Sequence, residues 1–184
     1  MRYVLIFFVV GFMSCKSNSQ QVNPKEGMLK ADESKMEKEE VKETFFINSK
    51  GNKVDKIEKS AKEWSDQLTK MEFYVLRQKG TERSFTGDLL KLKKEGVYTC
   101  AACNLPLFES DTKYKSGTGW PSFYKPIDET HILEDTDYDL GYARTEVMCK
   151  RCEGHLGHVF SDGPDPTGLR YCINSVSLNF EEKK

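Results

Sequence analysis

Two Cys-x-x-Cys turns, Cys100-Ala-Ala-Cys103 and Cys149-Lys-Arg-Cys152, decide how this chain folds, and residues 104–148 separate them. A Cys-x-x-Cys turn places two thiolates where they can share one metal ion, and two such turns complete a tetrahedral zinc site. Because four protein ligands close the coordination sphere, the ion would be structural. The separation exceeds that of a short zinc ribbon, so the segment between the turns must itself fold.

Other interpretations of the paired cysteines stay open. A thioredoxin-like redox pair is one, although neither turn lies in a visible βαβ pattern. Disulfide bonds are another, if the chain is exported. A finger that combines Cys149 and Cys152 with His155 and His158 is disfavoured, because such a finger needs about 12 residues between its second Cys and its first His.

Composition points to one domain with a tail. The chain has 184 residues, a formal net charge of -1, 38% hydrophobic and 31% charged residues. This length allows one ordinary domain, and the near-zero charge argues against nucleic-acid binding. Short β-like pieces separated by turn residues predict a mainly β (α+β) domain over residues 57–184. They include Val97–Thr99, Leu140–Met148 and Leu169–Phe180.

A helix is predicted at the front of this domain. Ser60-Ala-Lys-Glu63 fits a capping box,. The apolar residues that follow recur at the spacing of one helix face. They are Trp64, Leu68, Met71 and Val75. Gly80 marks the expected end of the helix.

Residues 1–14 are predicted to be a signal peptide. A basic start precedes the apolar run Tyr3–Met13, which is shorter than the ~20 residues that span a bilayer. Ser14-Cys15 resembles a bacterial lipoprotein cleavage site, although Phe12 stands where Leu is usual. We expect Cys15 to be lipidated and the protein to be an exported, membrane-anchored lipoprotein that faces the periplasm or cell exterior. The alternatives are a signal that the ordinary signal peptidase cleaves and a tail with one incidental cysteine.

Residues 15–56 are predicted to form a flexible charged tether. Lysines and acidic residues balance there, and apolar residues are sparse, so the segment cannot bury enough surface to offset its ordering entropy. Phe45-Phe46-Ile47 is the exception and is interpreted as a short strand or a sticky patch.

Cys172 is a candidate reactive thiol. If Leu169–Ser175 is a strand, Arg170, Cys172 and Asn174 lie on one face,. A guanidinium beside a thiol favours the thiolate, and the Asn174 amide can orient a polar substrate or a water molecule. A buried structural cysteine is the alternative, although polar neighbours on one face argue against an apolar setting.

Two further segments contain candidate site residues. His155 and His158 lie in a Gly-flanked run, and packing is the alternative to a functional role. In Ser116-Gly-Thr-Gly-Trp-Pro-Ser-Phe123, glycines on both sides of Thr118 predict a tight loop. That loop presents Trp120 either as a core residue or as the apolar wall of a ligand pocket.

Together these motifs resemble the B-type peptide methionine sulfoxide reductases, which are specific for the R epimer. The similarity runs from about Trp64 to Phe180. The motifs, in order, are Arg77-Gln-Lys-Gly-Thr-Glu82, Phe85-Thr-Gly87, Gly96-Val-Tyr-x-Cys100-x-x-Cys103, Pro106-Leu-Phe108, Ser116-Gly-x-Gly-Trp-Pro-Ser-Phe123, Cys149-x-x-Cys152, Gly154-His-Leu-Gly-His-Val-Phe160, Asp162-Gly-Pro164 and Arg170-Tyr-Cys-Ile-Asn-Ser175.

The resemblance implies a small domain of two antiparallel sheets with N-terminal helices and a structural zinc site made of four cysteines. It implies that Cys172 is the nucleophile, with Trp120 against the sulfoxide methyl and Arg170 beside the thiolate. His155, His158 and Asn174 would hold the polar side of the site. The reaction would reduce peptide-bound methionine-R-sulfoxide through a Cys172 sulfenic acid, with either histidine donating the proton.

The chain departs from the family pattern in two places. Ser84 stands where Pro is common, which we expect to affect only a turn. Thr118 stands where many members have a resolving cysteine. With four cysteines on zinc and Cys15 on lipid, we expect a thioredoxin-like or other external thiol to reduce Cys172.

The expected partners are oxidised proteins or peptides, this reductant and a membrane reached through the lipid anchor. We expect a monomer with no organic cofactor and no nucleic-acid partner. Two rival hypotheses are a non-catalytic zinc-ribbon-like binding module and a zinc hydrolase. The hydrolase needs an open coordination position on the metal, and four cysteine ligands would leave none.

Overall fold

A computed structural model describes residues 45–184. The predicted signal peptide, Cys15 and residues 15–44 of the predicted tether lie outside the described residues. In the described part of the chain, neither helix is long and apolar enough to cross a membrane.

The largest element of the fold is a six-stranded antiparallel sheet with strand order β5-β6-β10-β9-β8-β7. Its strands are β5 (Lys113–Tyr114), β6 (Ser122–Phe123), β7 (Ile132–Asp137), β8 (Arg144–Cys149), β9 (His155–Phe160) and β10 (Arg170–Ile173). Three of these strands meet at the centre of the sheet, where β9 pairs with both β8 and β10. The central strands therefore hold side chains in fixed register.

A second antiparallel sheet has the order β11-β3-β4. Its strands are β3 (Gly96–Cys100), β4 (Pro106–Glu109) and β11 (Leu178–Glu182). The core between the sheets is aromatic: the ring of Phe108 stacks on Phe123 at 4.4 Å between centroids, and Tyr98 meets Phe123 edge-on at 5.0 Å. All three side chains are fully buried. The predicted mainly β fold with helices at its front is confirmed.

The predicted helix is in fact two helices, α1 (Ala61–Gln67) and α2 (Lys70–Gln78). The predicted Ser60–Glu63 capping box is present, but Thr69 and Glu72 form a second one. Leu68 adopts an extended conformation between them. A Thr with an acidic residue three positions later starts a new helix, and it overrides the continuous apolar periodicity. Met71 is accordingly half exposed.

Residues 45–55, placed in the tether by the sequence, form a hairpin of β1 (Phe45–Ile47) and β2 (Lys53–Asp55). Strand alternation turns Phe46 inward, where it is buried and meets the His131 ring edge-on. The Arg151 guanidinium donates to the Asp55 carbonyl. The folded part of the chain therefore extends N-terminal to the predicted boundary at residue 57.

Within residues 45–184, three short 3-10 helices lie between strands. They span Ser110–Thr112, Glu129–His131 and Ser175–Ser177. The predicted strand over Leu169–Phe180 is therefore interrupted: β10 ends at Ile173, a 3-10 turn follows, and β11 begins at Leu178. The interruption matters for the site because Asn174 lies at it.

Candidate functional site

The four paired cysteines converge on one buried point. Their Sγ atoms all lie within 4.8 Å of one another, with Cys100 3.7 Å from Cys152 and Cys103 3.5 Å from Cys149. Zinc bonds of about 2.3 Å place tetrahedral sulfurs about 3.8 Å apart, whereas a disulfide needs about 2 Å. All four are free thiols in the structure. The donor set therefore fits a closed metal site.

The backbone at the two cysteine turns is pre-shaped in the same way. Asn104 and Glu153, each following the second cysteine of a pair, have φ of 59° and 56°. Their amides donate to the carbonyls of Cys100 and Cys149 respectively. These left-handed residues close both turns so that the sulfurs face one another. Thiol hydrogen bonds, chiefly with Cys100, lower the pKa of Cys152, whereas such bonds, chiefly with Cys103, raise the pKa of Cys100.

Cys172 lies on β10 between two neighbouring strands. Its direct cross-strand partner on β9 is His158, and on β6 it is Ser122. Direct partners in an antiparallel pair share a face, with Cβ atoms about 5 Å apart. The Thr118 hydroxyl lies 3.7 Å from the Cys172 sulfur. The thiol remains partly exposed, so a substrate can reach it.

Two opposing effects act on the Cys172 thiol. Burial raises its pKa above the usual value and is the larger effect, while the Thr118 hydroxyl and the charge of Arg170 lower it. Arg170 is itself held by Asp162, through contacts of 2.8 and 2.9 Å. Arg170 therefore lowers the pKa of Cys172 as predicted, but burial raises that pKa by more.

His158 is paired with a carboxylate. Its Nε2 lies 2.6 Å from Asp137 Oδ2, and Arg144 contacts the same carboxylate oxygen. A backbone hydrogen bond from Asp139, assisted by His158 and Arg144, lowers the pKa of Asp137 to about 2. Asp137 is thus an anion at neutral pH, and its carboxylate accepts a hydrogen bond from the His158 ring.

His155 occupies a different environment. Its Nδ1 lies 2.7 Å from the buried Glu146 carboxylate, which also accepts from Lys79 at 2.7 Å. Burial lowers the pKa of His155, so the neutral ring dominates at neutral pH. Its Nε2 is buried and has no hydrogen-bond partner among the described residues. The His155 and His158 ring centroids are 5.4 Å apart, so the structure brings both predicted histidines together.

Asn174 is engaged by the backbone. Its Oδ1 accepts from the Glu82 amide at 3.0 Å, and its Nδ2 donates to the Leu156 carbonyl at 2.9 Å. These bonds join β9 to the segment before the second sheet. The predicted contact of Asn174 with substrate or water stays a prediction.

Trp120 is partly buried, and its indole donates to the Glu82 carbonyl at 3.1 Å. It lines a cavity of about 670 Å³ that also includes Gly117 and Gly119, the residues on either side of Thr118. Cys172 does not line that cavity. The loop therefore contacts the thiol through Thr118 and presents Trp120 to the cavity.

Comparison with known proteins identifies the family. A family model described as the SelR domain matches residues 68–182. Peptide methionine sulfoxide reductase MsrB of Methanosarcina barkeri is 60% identical over 130 residues, which cover 70% of this chain and 90% of that protein. The MsrB of Leptospira interrogans is 54% identical over 127 residues, 69% of this chain and 97% of that protein.

The chain belongs to the MsrB family of peptide methionine sulfoxide reductases. Membership makes it an oxidoreductase and disposes of the rival hypothesis of a non-catalytic zinc-ribbon-like module. The motifs quoted from the sequence and the SelR match cover nearly the same residues.

Sequence reasoning assigned no role to the acidic residues that contact the candidate site residues. Asp137 and Glu146 lie on β7 and β8 and reach the histidines only across the sheet. Glu82 accepts from the Ser175 and Val176 amides at 2.6 and 3.0 Å. Only Glu146 left a local signal, because a charged residue inside an otherwise buried strand needs a partner.

Proposed function

We propose that the protein reduces methionine-R-sulfoxide in oxidised polypeptides to methionine, with Cys172 as the nucleophile. The observation that supports this best is the position of Cys172. It is partly exposed, is paired across the sheet with His158 and touches Thr118, in a chain of the MsrB family.

The proposed chemistry conserves atoms and electrons. The Cys172 thiolate attacks the sulfoxide sulfur while an acid protonates the sulfoxide oxygen. The attack forms a bond between the two sulfurs, and the protonated oxygen then moves from the substrate sulfur to the Cys172 sulfur. The bond between the sulfurs breaks, methionine leaves, and Cys172 is a sulfenic acid. The cysteine sulfur is oxidised by two electrons, and the substrate sulfur is reduced by two.

His158 is the better of the two proton donors. The strand register places it beside Cys172, and the Asp137 carboxylate holds its ring through a hydrogen bond. Burial lowers the pKa of His155, so little of it carries the second proton that it would have to donate at neutral pH. A role for His155 in holding the sulfoxide oxygen or a water is compatible with its free Nε2.

An external thiol completes the cycle. In the described part of the chain, every cysteine other than Cys172 belongs to the four-sulfur cluster, and Thr118 contacts Cys172 where a resolving cysteine would otherwise act. One external thiol attacks the sulfenic acid and releases water. A second thiol then displaces Cys172 and forms the reductant's disulfide.

The four-sulfur cluster would hold zinc. The ion would cross-link the β3–β4 turn to the β8–β9 turn through Cys100, Cys103, Cys149 and Cys152, and so would stabilise the fold without touching substrate.

We also propose that the enzyme is exported, is anchored through lipidated Cys15 and repairs exported proteins as a monomer. This rests on residues 1–15 of the sequence, which lie outside the described residues. Metabolic labelling with a palmitate analogue, with a Cys15→Ala variant as control, tests the anchor: no label on the wild-type protein would refute it.

The decisive test of the activity compares epimers. The protein should reduce peptide-bound methionine-R-sulfoxide with dithiothreitol and leave the S epimer untouched. Cys172→Ser should lose turnover and keep its zinc. Reduction of the S epimer alone, or undiminished activity of the variant, would refute the proposal.

A further inference from the structure

The cavity beside Trp120 has an unusual charge. Five lysines line it, and no aspartate or glutamate does so in the described part of the chain. They are Lys91, Lys93, Lys94, Lys113 and Lys115. Because the whole chain has a net charge of only -1, this is a local concentration of positive charge. Such a concentration in a concave surface attracts anions.

Most of this charge is not neutralised by the protein. Lys94 pairs with Glu182 at 2.7 Å, and Lys113 donates to the carbonyls of Leu90 and Leu92. The remaining three, Lys91, Lys93 and Lys115, are exposed and form no ion pair among residues 45–184. Lys93 also borders a neighbouring cavity that five acidic residues line, so Lys91 and Lys115 are the lysines most available to a bound partner.

The walls of the cavity are fixed rather than loose. The partly buried Lys113 ammonium donates hydrogen bonds of 3.0 and 2.8 Å to the carbonyls of Leu90 and Leu92. These bonds fix the segment that contains both leucines. Phe85, at the rim, has a φ of 66° and donates its amide to the Gly119 carbonyl. Its side chain is 66% exposed. A bulky residue held in the left-handed region with an exposed ring is an outlier that points to a role.

The cavity adjoins the reacting thiol. Gly117, Gly119 and Trp120 line it, while Thr118 of the same loop contacts the Cys172 sulfur. Its volume of about 670 Å³ is typical of a ligand site and is far larger than the volume of a methyl sulfoxide group. An extended peptide advances about 3.4 Å per residue. The cavity is therefore within reach of residues that neighbour a sulfoxide bound at Cys172.

We propose that this cavity binds acidic residues next to the oxidised methionine, so that the preferred substrates are methionine sulfoxides in acidic segments. Phe85 and Trp120 would contact the apolar parts of the peptide, and Lys91, Lys93 and Lys115 would pair with its carboxylates. This inference rests on the proposed function and specifies its substrate class.

The test uses three peptides that contain methionine-R-sulfoxide flanked by glutamates, by lysines or by alanines. The readout is the ratio of kcat/KM for the acidic peptide to that for the basic peptide. The variant is Lys91→Gln, Lys93→Gln, Lys115→Gln. Its control, with the same change in charge, is Lys50→Gln, Lys70→Gln, Lys125→Gln, which replaces exposed lysines outside the cavity.

The wild-type ratio should be about tenfold at low ionic strength and should approach one in roughly 1 M salt, where the screening length is about 3 Å. The cavity variant should lose the preference, and the control should keep it. A wild-type ratio of one, an unchanged cavity variant or an equal loss in the control would overturn the inference. If the wild type reduces neutral N-acetyl-methionine-R-sulfoxide amide, the proposed function holds even where the peptide ratios overturn this inference. If it does not, the proposed function itself has failed.

Discussion

Cys172 and His158 are direct cross-strand partners in the antiparallel pair of β10 and β9. His158 in turn lies 2.6 Å from Asp137 on β7. Three strands therefore place a carboxylate, an imidazole and a thiol next to one another. The register of the sheet, rather than any contiguous motif, creates this arrangement.

The two histidines should have unequal effects on catalysis. His158→Gln should lower kcat by about 100-fold, because loss of a positioned acid typically costs 10²–10⁴. His155→Gln should lower kcat by less. Steady-state kinetics between pH 6 and pH 10, with circular dichroism to verify folding, measure both. The reverse order of effects would assign the proton to His155.

The Arg170–Asp162 pair should tune the reactivity of Cys172 in opposite directions. Because burial raises the pKa of Cys172, the thiolate fraction and the rate of alkylation should increase with pH beyond neutrality. Arg170→Gln removes the cation and should slow alkylation at pH 7 roughly threefold.

Asp162→Asn frees the charge of Arg170 and should accelerate alkylation by a similar factor. Iodoacetamide labelling of Cys172, followed by peptide mass spectrometry, gives both rates. If the two variants shift the rate in the same direction, the guanidinium does not act through its charge.

Thr118→Cys should convert the enzyme to an internally resolved cycle. The Thr118 hydroxyl is already 3.7 Å from the Cys172 sulfur, so a thiol at this position can reach a Cys172 sulfenic acid. Treatment with R-sulfoxide should give one internal disulfide per chain, counted by mass spectrometry after alkylation. Thr118→Ser, as control, should give none. A stoichiometric internal disulfide in the mature wild-type protein would contradict the external-thiol cycle.

Loss of a ligand from the proposed zinc site should destabilise the domain, whereas loss of Cys172 should not. Cys103→Ser should lose zinc and lower Tm by about 10 °C or more, since several kcal/mol of metal binding stabilise the folded state. Cys172→Ser should keep both zinc and Tm. Elemental analysis and thermal melts decide the matter. A metal-free Cys103→Ser protein with an unchanged Tm would show that the metal does not stabilise the fold.

The parts of the fold that depend on local spacing were predictable. The paired cysteines specify their own turns, and their sulfurs do converge. The capping box at Ser60 was also predicted, but the second one, at Thr69, was overlooked because the apolar residues around it keep a helical spacing. Local hydrogen bonding at Thr69 outweighed that periodicity.

The partners of the site residues were not predictable in the same way. Asp137 is 21 residues from His158 along the chain, and only the pairing of β7, β8 and β9 brings them together. Strand periodicity placed Asn174 with Cys172, yet the strand ends at Ile173 and the Asn174 amide is bonded to backbone groups of Glu82 and Leu156. Such contacts depend on tertiary structure, which a single sequence does not display.

The central claim is that Cys172 takes the oxygen from the substrate. It is tested most directly by a single turnover without reductant, using a methionine-R-sulfoxide peptide and a sulfenic-acid trap, with mass spectrometry of the protein. We predict one methionine formed and one trapped Cys172 per chain, and neither with Cys172→Ser. Methionine formation without modification of Cys172, or equal formation by Cys172→Ser, would contradict the account.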